Sequence, residues 1–353
     1  MRVEFDDLLD TYENIIYKNS KNKQKVIAFE KHKMTILYNI YTSINNETYK
    51  QSGYNIFLIK RPKHRIVMSL NISDKIVNHY VTIKYLIPTL EKYLDYRNIA
   101  TRKDMGNDYG IKLIKKYLET NKKYSKFYIL KLDIKKYFYN IDHNILENMI
   151  KDKFDKPIFD FICRIIESTN APDINIKINN IKNNAFKYKY NKAIDNLPFY
   201  KYGKGLPIGN MTSQFFAIYY LSSLDHYIIH DLHLKYFIRY MDDFVIIHHN
   251  KNYLKKCKDI IEFKLNNEFK LELNEKSRIY SSKEGFDFLG YNFKIINNKT
   301  IMKVSTKTYN AIKNNIKILN KELNDFCCYT NYNNSFKYTK RSKVKYYLER
   351  HFN

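Results

Sequence analysis

The spacing of apolar side chains changes several times along the first half of the chain. The first 50 residues repeat apolar positions at helical intervals and predict helices. Ile56–Met68 predicts two short strands around a basic turn. Helical spacing returns over Ser73–Tyr96 and Tyr109–Asn121, and Phe127–Asp133 predicts a strand.

The second half continues to mix helical and strand-like patterns. Residues 170–195 are rich in Asn and Lys and predict a loop or an exposed hairpin. The other predicted elements are, in chain order, a helix opening near Asp142, a turn at Gly205–Gly209, a helix over Thr212–His230, a hairpin within Lys235–His248, a helix from Tyr253 to about Phe269, a strand over Phe286–Ile296, a turn at Asn297–Asn298 and helix after Thr306. With no repeat and no Pro/Gly/Ser-rich linker, this is the pattern of one continuous α+β protein.

Two adjacent acids interrupt the predicted hairpin at Tyr240-Met241-Asp242-Asp243. Like charges side by side are unfavourable unless a cation lies near them, although a plain Asp-containing turn is the alternative. A third acid, Asp133, ends an earlier strand. Three such oxygen donors on adjacent strands suit Mg²⁺, and two ions together stabilise the attacking and leaving oxygens of a phosphoryl transfer.

Composition favours a polyanionic partner. Lys and Arg number 62 against 36 Asp and Glu, a net charge of +26, and the chain has 34 Tyr and 22 Phe. Cations interleaved with aromatic rings favour nucleic acid over a membrane surface. The four cysteines form no C-x-x-C pair, and the N-terminus lacks the apolar stretch of a signal peptide. We therefore expect a cytoplasmic protein with reduced thiols and no membrane partner.

Four segments, in this order, resemble the palm motifs of reverse transcriptases. They are Leu132–Phe138, Gly205–Gln214, Tyr240–Asp243 and Phe288–Tyr291, and fingers-like signatures extend the match at Arg61–Ile66 and Arg97–Lys103. The resemblance implies a right-hand polymerase fold of α+β class. Fingers would occupy residues 1–124, an antiparallel-sheet palm 125–300, and a short basic helical thumb with its tail 301–353.

The resemblance also implies roles for the acids. Asp133, Asp242 and Asp243 would be catalytic and would hold two Mg²⁺ ions, with Mn²⁺ as the alternative ion. The backbone carbonyl of Ile134 would be a further ligand. The chain would then be an RNA-directed DNA polymerase that adds dNTPs to a primer 3′-hydroxyl.

Seven residues are expected to bind the nucleotide by the same resemblance. Phe138, five residues after Asp133, would crowd the sugar 2′ position and reject ribonucleotides, the alternative being a core aromatic. Lys63 and Arg65 would grip the triphosphate or the template, or form a solvated basic turn. Lys276 would protonate the leaving pyrophosphate, or simply be exposed. The remaining three are Ile208, Gly209 and Gln214.

Six cations are expected to contact nucleic acid: Arg61, Arg102, Lys103, Lys313, Lys317 and Lys321. The last three recur at helical spacing. The implied partners are an RNA template, a DNA product or primer, dNTPs, a structured non-coding RNA, and an accessory protein or second reverse transcriptase encoded nearby.

One motif departs from the common family pattern. Where most reverse transcriptases have Gln-Gly-x-x-x-Ser-Pro, this chain has Ile208-Gly209-Asn210-Met211-Thr212-Ser213-Gln214, which is similar to enzymes of diversity-generating retroelements and of bacterial anti-phage defence. A maturase-like or non-catalytic RNA-binding protein is the alternative function. An RNA-directed RNA polymerase is disfavoured by Phe138 and by Met241 in place of glycine.

Overall fold

The computed structural model describes residues 2–20, 23–59, 64–188 and 192–319. The α-helices of this part of the chain are α1 (Phe5–Asp10), α2 (Lys23–Glu30), α3 (Lys33–Asn45), α4 (Ile72–Val81), α5 (Ile87–Leu90), α6 (Asn107–Asn121), α7 (Tyr137–Asn140), α8 (His143–Ile150), α9 (Lys156–Ile166), α10 (Pro172–Tyr188), α11 (Lys192–Asp195), α12 (Met211–Tyr219), α13 (Ser222–His230), α14 (Lys251–Glu268) and α15 (Thr306–Leu319). Shorter π-helical segments lie at Thr11–Tyr17 and Thr82–Leu86.

The strands form three antiparallel sheets. They are β1 (Asn55–Ile59), β2 (Arg65–Ser69), β3 (Tyr128–Asp133), β4 (Tyr236–Tyr240), β5 (Asp243–His248), β6 (Arg278–Ser281), β7 (Phe286–Phe288), β8 (Tyr291–Ile296) and β9 (Lys299–Val304). The sheets have the strand orders β1-β2, β4-β5-β3-β6 and β7-β8-β9. Helices combined with antiparallel sheets confirm the α+β class.

The chain folds into two compact units that alternate along the sequence. Of the described residues, unit 1 contains 2–20, 23–59, 64–96, 134–188, 192–227 and 263–272, and unit 2 contains 97–133, 228–262 and 273–319. The division into fingers, palm and thumb as three consecutive segments stays a prediction.

Unit 1 is mainly helical around the β1–β2 hairpin. Its N-terminal helices pack on α4, whose Ile76 and Val77 are fully buried. A second core joins the hairpin to α10 through Ile66, Met68, Ile174 and Ile178. The prediction of a loop or hairpin over residues 170–195 is therefore wrong. The few apolar residues of this Asn-rich stretch recur at helical spacing, and their burial against the hairpin stabilises α10.

Unit 2 contains the four-stranded sheet and the β7–β9 sheet. The helix α6 packs against apolar side chains of both sheets. The buried side chains of α6, such as Ile111 and Ile114, share one core with Ile129, Val245 and Phe293. The single strand predicted over residues 286–296 is wrong. It is divided by a tight turn at Leu289 and Gly290, which have φ +49° and +84°.

The described helices include none that is both long and apolar enough to cross a membrane.

Candidate active site

The β4–β5 hairpin holds two of the three predicted acids at its tip. Tyr240 pairs with Asp243 as the last register pair, so Met241 and Asp242 form the turn. Met241 has φ +56°, in the left-handed region that side chains with a Cβ rarely adopt. A two-residue turn of this kind matches the twist of the strands and keeps the tip short. The predicted hairpin is confirmed.

A buried arginine supports this turn. Arg239 is fully buried, and its guanidinium donates to the Met241 carbonyl oxygen over 3.0 Å. The same group lies 5.7 Å from the Phe244 ring centre. Its backbone is also held, because Arg239 N–H donates to Arg97 O and Arg239 O accepts from Ile99 N–H. Because the Arg239 guanidinium is buried and hydrogen-bonded, it restrains the turn and offsets the backbone strain at Met241.

The third acid lies beside the hairpin through strand pairing. Asp133 ends β3 opposite Asp243 on β5, which corresponds to Cα atoms about 5 Å apart. Two contacts hold the Asp133 backbone, because its N–H donates to Ser277 Oγ and its carbonyl accepts from Asn274 N–H over 2.7 Å. The sheet thus places the three acids at one end of the β3–β5 strand pair, although they are far apart in sequence. We call this end of the strands the acidic edge.

A lysine is already paired within this edge. Lys131 lies two residues before Asp133, on the same face of β3, and its ammonium group is ion-paired with the Asp243 carboxylate. The Lys131 and Asp243 side chains are 15% and 31% exposed. Lys131 also lies 4.9 Å from the Phe288 ring centre, which restrains its stem. One of the three negative charges is therefore balanced by the protein itself.

The donor set fits a hard divalent cation that is shared with a substrate. In the described part of the chain, no three His, Cys, Asp or Glu side chains form a ready-made metal cage. Mg²⁺ does not require one, since it commonly takes one or two carboxylates together with water and phosphate oxygens. Asp133 and Asp242 supply two carboxylates of that kind. The metal-ligand roles stay predictions, including that of the Ile134 carbonyl.

Lys276 lies on the turn that holds Asp133. Its N–H donates to Asn274 Oδ1, and the next residue is Ser277, whose hydroxyl contacts the Asp133 backbone. The Lys276 side chain is exposed. This position agrees with a lysine that protonates the leaving pyrophosphate and equally with one that is simply exposed.

The predicted nucleotide residue Phe138 lies in unit 1, on the short helix α7. Its side chain is half-buried, whereas those of Tyr137 and Tyr139 are buried. The Phe138 carbonyl accepts from Leu206 N–H over 2.7 Å, so the Gly205–Gly209 turn lies along this helix. Gly205 has φ +93°, and a Cβ there would lie 2.6 Å from the Tyr200 ring. Only glycine fits at this position, where the turn passes close to the Tyr200 ring.

Four more predicted nucleotide residues lie in the same unit. The Ile208 carbonyl accepts from Met68 N–H, which places Ile208 and Gly209 against β2. Arg65 opens β2 with an exposed side chain. Gln214 lies one turn into α12, where its N–H donates to Asn210 O and its side chain is half-buried. Ile208 and Gly209 thus lie along β2, and Gln214 lies on the helix that follows them in sequence.

The profile of the family described as reverse transcriptase (RNA-dependent DNA polymerase) matches residues 50–293. The chain belongs to this family. Its members are RNA-directed DNA polymerases, a class of nucleotidyltransferase, and generally use divalent metal ions. The fold is accordingly the right-hand polymerase fold. No curated protein sequence matches this reverse transcriptase.

Two solved telomerase structures are similar to part of this reverse transcriptase. An apo telomerase from Candida tropicalis, truncated from its C-terminal domain, is 17% identical over 71% of this chain and 55% of its own, with TM-score 0.47. A telomerase from Candida albicans in complex with a fragment of telomeric RNA is 14% identical over 72% and 47%, with TM-score 0.48. The match thus spans about half the length of those telomerases.

The predicted nucleic-acid contacts of the reverse transcriptase are placed only in part. Arg102 donates to Asn98 O over 3.0 Å, and Lys103 beside it is exposed. Lys313 is exposed on α15. Arg61, Lys63 and Lys321 lie outside the described residues, as does the side chain of Lys317. These contacts stay predictions.

Sequence reasoning missed three residues that support the acids: Lys131, Arg239 and Ser277. Lys131 had a usable signal, since a cation two positions before a strand-end acid shares its face. Arg239 had a weaker signal, because a charged residue within an apolar strand must find partners when buried. Ser277 had none.

Proposed function

We propose that this reverse transcriptase copies an RNA template by adding dNTPs to a primer 3′-hydroxyl. The observation that carries the proposal is the strand register that sets Asp133 opposite Asp243, with Asp242 on the adjoining turn. Two Mg²⁺ ions, or Mn²⁺ instead, would neutralise the reacting phosphate and activate the 3′-hydroxyl when bound.

The residues of this chain would position those groups. Asp133 and Asp242 would be the principal ligands, the Ile134 carbonyl a further one, and Asp243 would complete the acidic edge while paired with Lys131. Rigid backbone contacts from Asn274 and Arg239 support the role of the acids, because catalysis of phosphoryl transfer depends mainly on positioning and charge. Phe138 is proposed to exclude ribonucleotides.

The biological setting we propose is anti-phage defence or a diversity-generating retroelement. The support is the Ile208–Gln214 motif and its similarity to enzymes of those systems. A structured non-coding RNA and a second protein encoded nearby are the proposed partners.

The test is extension of a DNA primer on an RNA template with purified protein and either dNTPs or rNTPs. We expect Mg²⁺-dependent extension with dNTPs, and a loss of at least about 1,000-fold in Asp242→Asn. Asp259→Asn on exposed α14 is the matched control and should keep full activity. Extension that persists in Asp242→Asn contradicts the assignment of the acids.

Two other results would replace the proposed function. RNA binding by a folded protein without extension would favour a maturase-like or non-catalytic role. Preferential use of rNTPs would favour an RNA-directed RNA polymerase and remove the proposed role of Phe138.

A further inference from the structure

A column of aromatic rings lies on unit 2 outside the acid cluster. The Tyr124 ring stacks on His249 at 4.4 Å between ring centres and 20° between planes. His249 stacks on His248 at 4.4 Å and 30°, and His248 meets Tyr253 at 5.0 Å. His249 is exposed, and the other three rings are half-buried. Tyr124 ends the column and lines a cavity, so this end is accessible to a planar group from outside.

The column stands at the opposite end of the strand pair from the acids. His248 pairs with Tyr128 at the start of β3, whereas Asp243 pairs with Asp133 at its end. Five residue steps along a strand separate these pairs by about 17 Å. A ligand on the column is thus distinct from one bound at the acids.

Exposed cations flank the rings. The Lys123 ammonium lies 5.1 Å from the centre of the Tyr124 ring, and that of Lys251 lies 5.8 Å from the centre of the Tyr128 ring. Both lysines are exposed. Their arrangement places positive charge beside flat aromatic faces, which is how proteins bind the backbone and bases of a single strand.

A cavity of about 430 Å³ adjoins the column and shares Tyr124 with it. Its lining combines cations, hydroxyls, amides and apolar side chains: Lys122, Tyr124, Ser125, Phe127, Ser282, Lys283, Ile295, Ile296, Asn297 and Asn298. Lys122 is held in place by Glu119, and Lys283 is exposed. The volume falls in the range of small-ligand sites and accommodates a base with its sugar.

His248 contributes a ring face to the column. Its Nδ1 lies 3.1 Å from Asn250 N and 3.4 Å from Asn250 O, so the Asn250 backbone holds the ring in place. Burial and the neighbouring His249 lower the pKa of His248. A neutral imidazole stacks on His249 without requiring a counter-ion.

We propose that this column binds a single strand of nucleic acid separate from the primer–template at the acids. A base stacks on the outer face of Tyr124, whose inner face is backed by His249, a neighbouring base enters the adjoining cavity, and Lys123 and Lys251 meet the phosphates. RNA and DNA strands share this chemistry, and the experiment distinguishes them. The inference goes beyond the proposed polymerase function and does not depend on it.

Because the chain contains no tryptophan, a single introduced indole can report binding by its fluorescence. In Tyr124→Trp, the sole indole reports stacking through quenching of its fluorescence by oligouridylate or oligothymidylate, without dNTPs or Mg²⁺. The control is Tyr38→Trp, at a position 58% exposed on α3. We expect saturable quenching in the first protein and little change in the second.

Substitutions then test the neighbouring groups. Adding His249→Ala to Tyr124→Trp should weaken strand binding about tenfold, because the ring that backs residue 124 and holds it for stacking is lost. Replacing both Lys123 and Lys251 with Ala should lower the slope of log affinity against log salt by about 1.4. Extension of a short primer–template should be unchanged in His249→Ala, which separates this proposal from the polymerase function.

Quenching by either strand with loss in His249→Ala supports the proposal, and the tighter-bound strand identifies the ligand as RNA or DNA. The proposal is overturned by absence of quenching with both strands, by affinity that His249→Ala leaves unchanged, or by equal quenching with polyglutamate. The last result would show a site for an acidic protein segment.

Discussion

The ammonium group of Lys131 is ion-paired with the Asp243 carboxylate, diagonally across the strand pair that sets Asp133 opposite Asp243. The lysine therefore balances charge at the acidic edge without any bound cation. A divalent ion that binds at Asp133 and Asp242 would meet a less negative environment than three unpaired carboxylates provide.

Replacing Lys131 with Met should make the acidic edge depend more strongly on Mg²⁺. The Met side chain keeps the contact with Phe288 but removes the cation, so repulsion among the acids increases. We expect a lower melting temperature than wild type without Mg²⁺, and a larger gain on adding it. Thermal unfolding with and without MgCl₂ measures both. Equal Mg²⁺ gains in the two proteins would contradict this role.

Arg239→Met should reduce turnover more than substrate binding. The substitution removes the bond to the Met241 carbonyl beside Asp242, at a cost of about 2 kcal/mol in the free energy of unfolding. Because the arginine positions the turn, kcat should fall while KM for dNTP changes little. Steady-state primer extension measures the two constants. A rise in KM alone would argue against a positioning role.

Gly205→Ala should destabilise unit 1 by about 3 kcal/mol. The new Cβ would lie 2.6 Å from the Tyr200 ring, at a residue with φ +93°. Gly203 is the matched control, since it has φ +70° but no atom within 4 Å of an added Cβ. Gly203→Ala should therefore cost only about 1 kcal/mol. Urea unfolding compares the two, and equal losses would show that backbone strain alone matters.

Glu147→Gln should flatten the dependence of stability on pH. Burial, together with Glu167 and Asp142 nearby, raises the pKa of Glu147 from 4.5 to about 7. An acid with a raised folded pKa stabilises the fold fully below its unfolded pKa, and this contribution is lost as pH rises through 7. Because the group is only partly buried, we expect about 1 kcal/mol between pH 5 and 8.

The measurement for Glu147 is urea unfolding of wild type and Glu147→Gln across that pH range. The variant should be the more stable protein at pH 8 and lose less stability as pH rises. Glu119→Gln is the control, because Lys122 and Thr300 lower the pKa of Glu119 from 4.5. Its stabilising contribution is present above its unfolded pKa and is lost only at lower pH, so this variant should leave the profile between pH 5 and 8 nearly unchanged.

Ile208→Gln should raise the fidelity of DNA synthesis. The substitution restores the amide found in most reverse transcriptases and adds a polar contact where Ile208 provides an apolar one. Sequencing the products copied from a defined RNA template measures the error rate. An unchanged error spectrum would contradict this prediction. Ile208→Leu is the control, because it keeps an apolar side chain at this position.

Local patterns predicted much of the fold because they depend on side-chain periodicity. The Asn297–Asn298 turn is confirmed, with φ +47° and +58°. Residues 172–188 were misjudged because α10 is stabilised by distant contacts with the β1–β2 hairpin, which a local window does not contain. Tight turns such as Leu289-Gly290 also shorten strands without breaking the apolar pattern.

The sequence predicted those site residues whose side-chain type and position in a strand or turn were unusual. Asp242 and Asp243 alone also suit a plain turn, and it was Asp133 at a strand end, together with the family resemblance, that favoured the prediction of a metal site. Ser277 holds Asp133 through a hydroxyl to the backbone, a contact that depends on the fold and not on residue type. Such supporting contacts have no sequence signal of their own.

The central position of β3 has a consequence for synthesis on the ribosome. β3 lies between β5 and β6, so neither neighbour exists when Asp133 is translated. The apolar side chains of Leu130 and Leu132, which end fully buried, remain exposed until residues 243–281 have been made. The nascent chain therefore carries an unpaired, aggregation-prone strand until β5 is made, and the acids come together only after that point of synthesis.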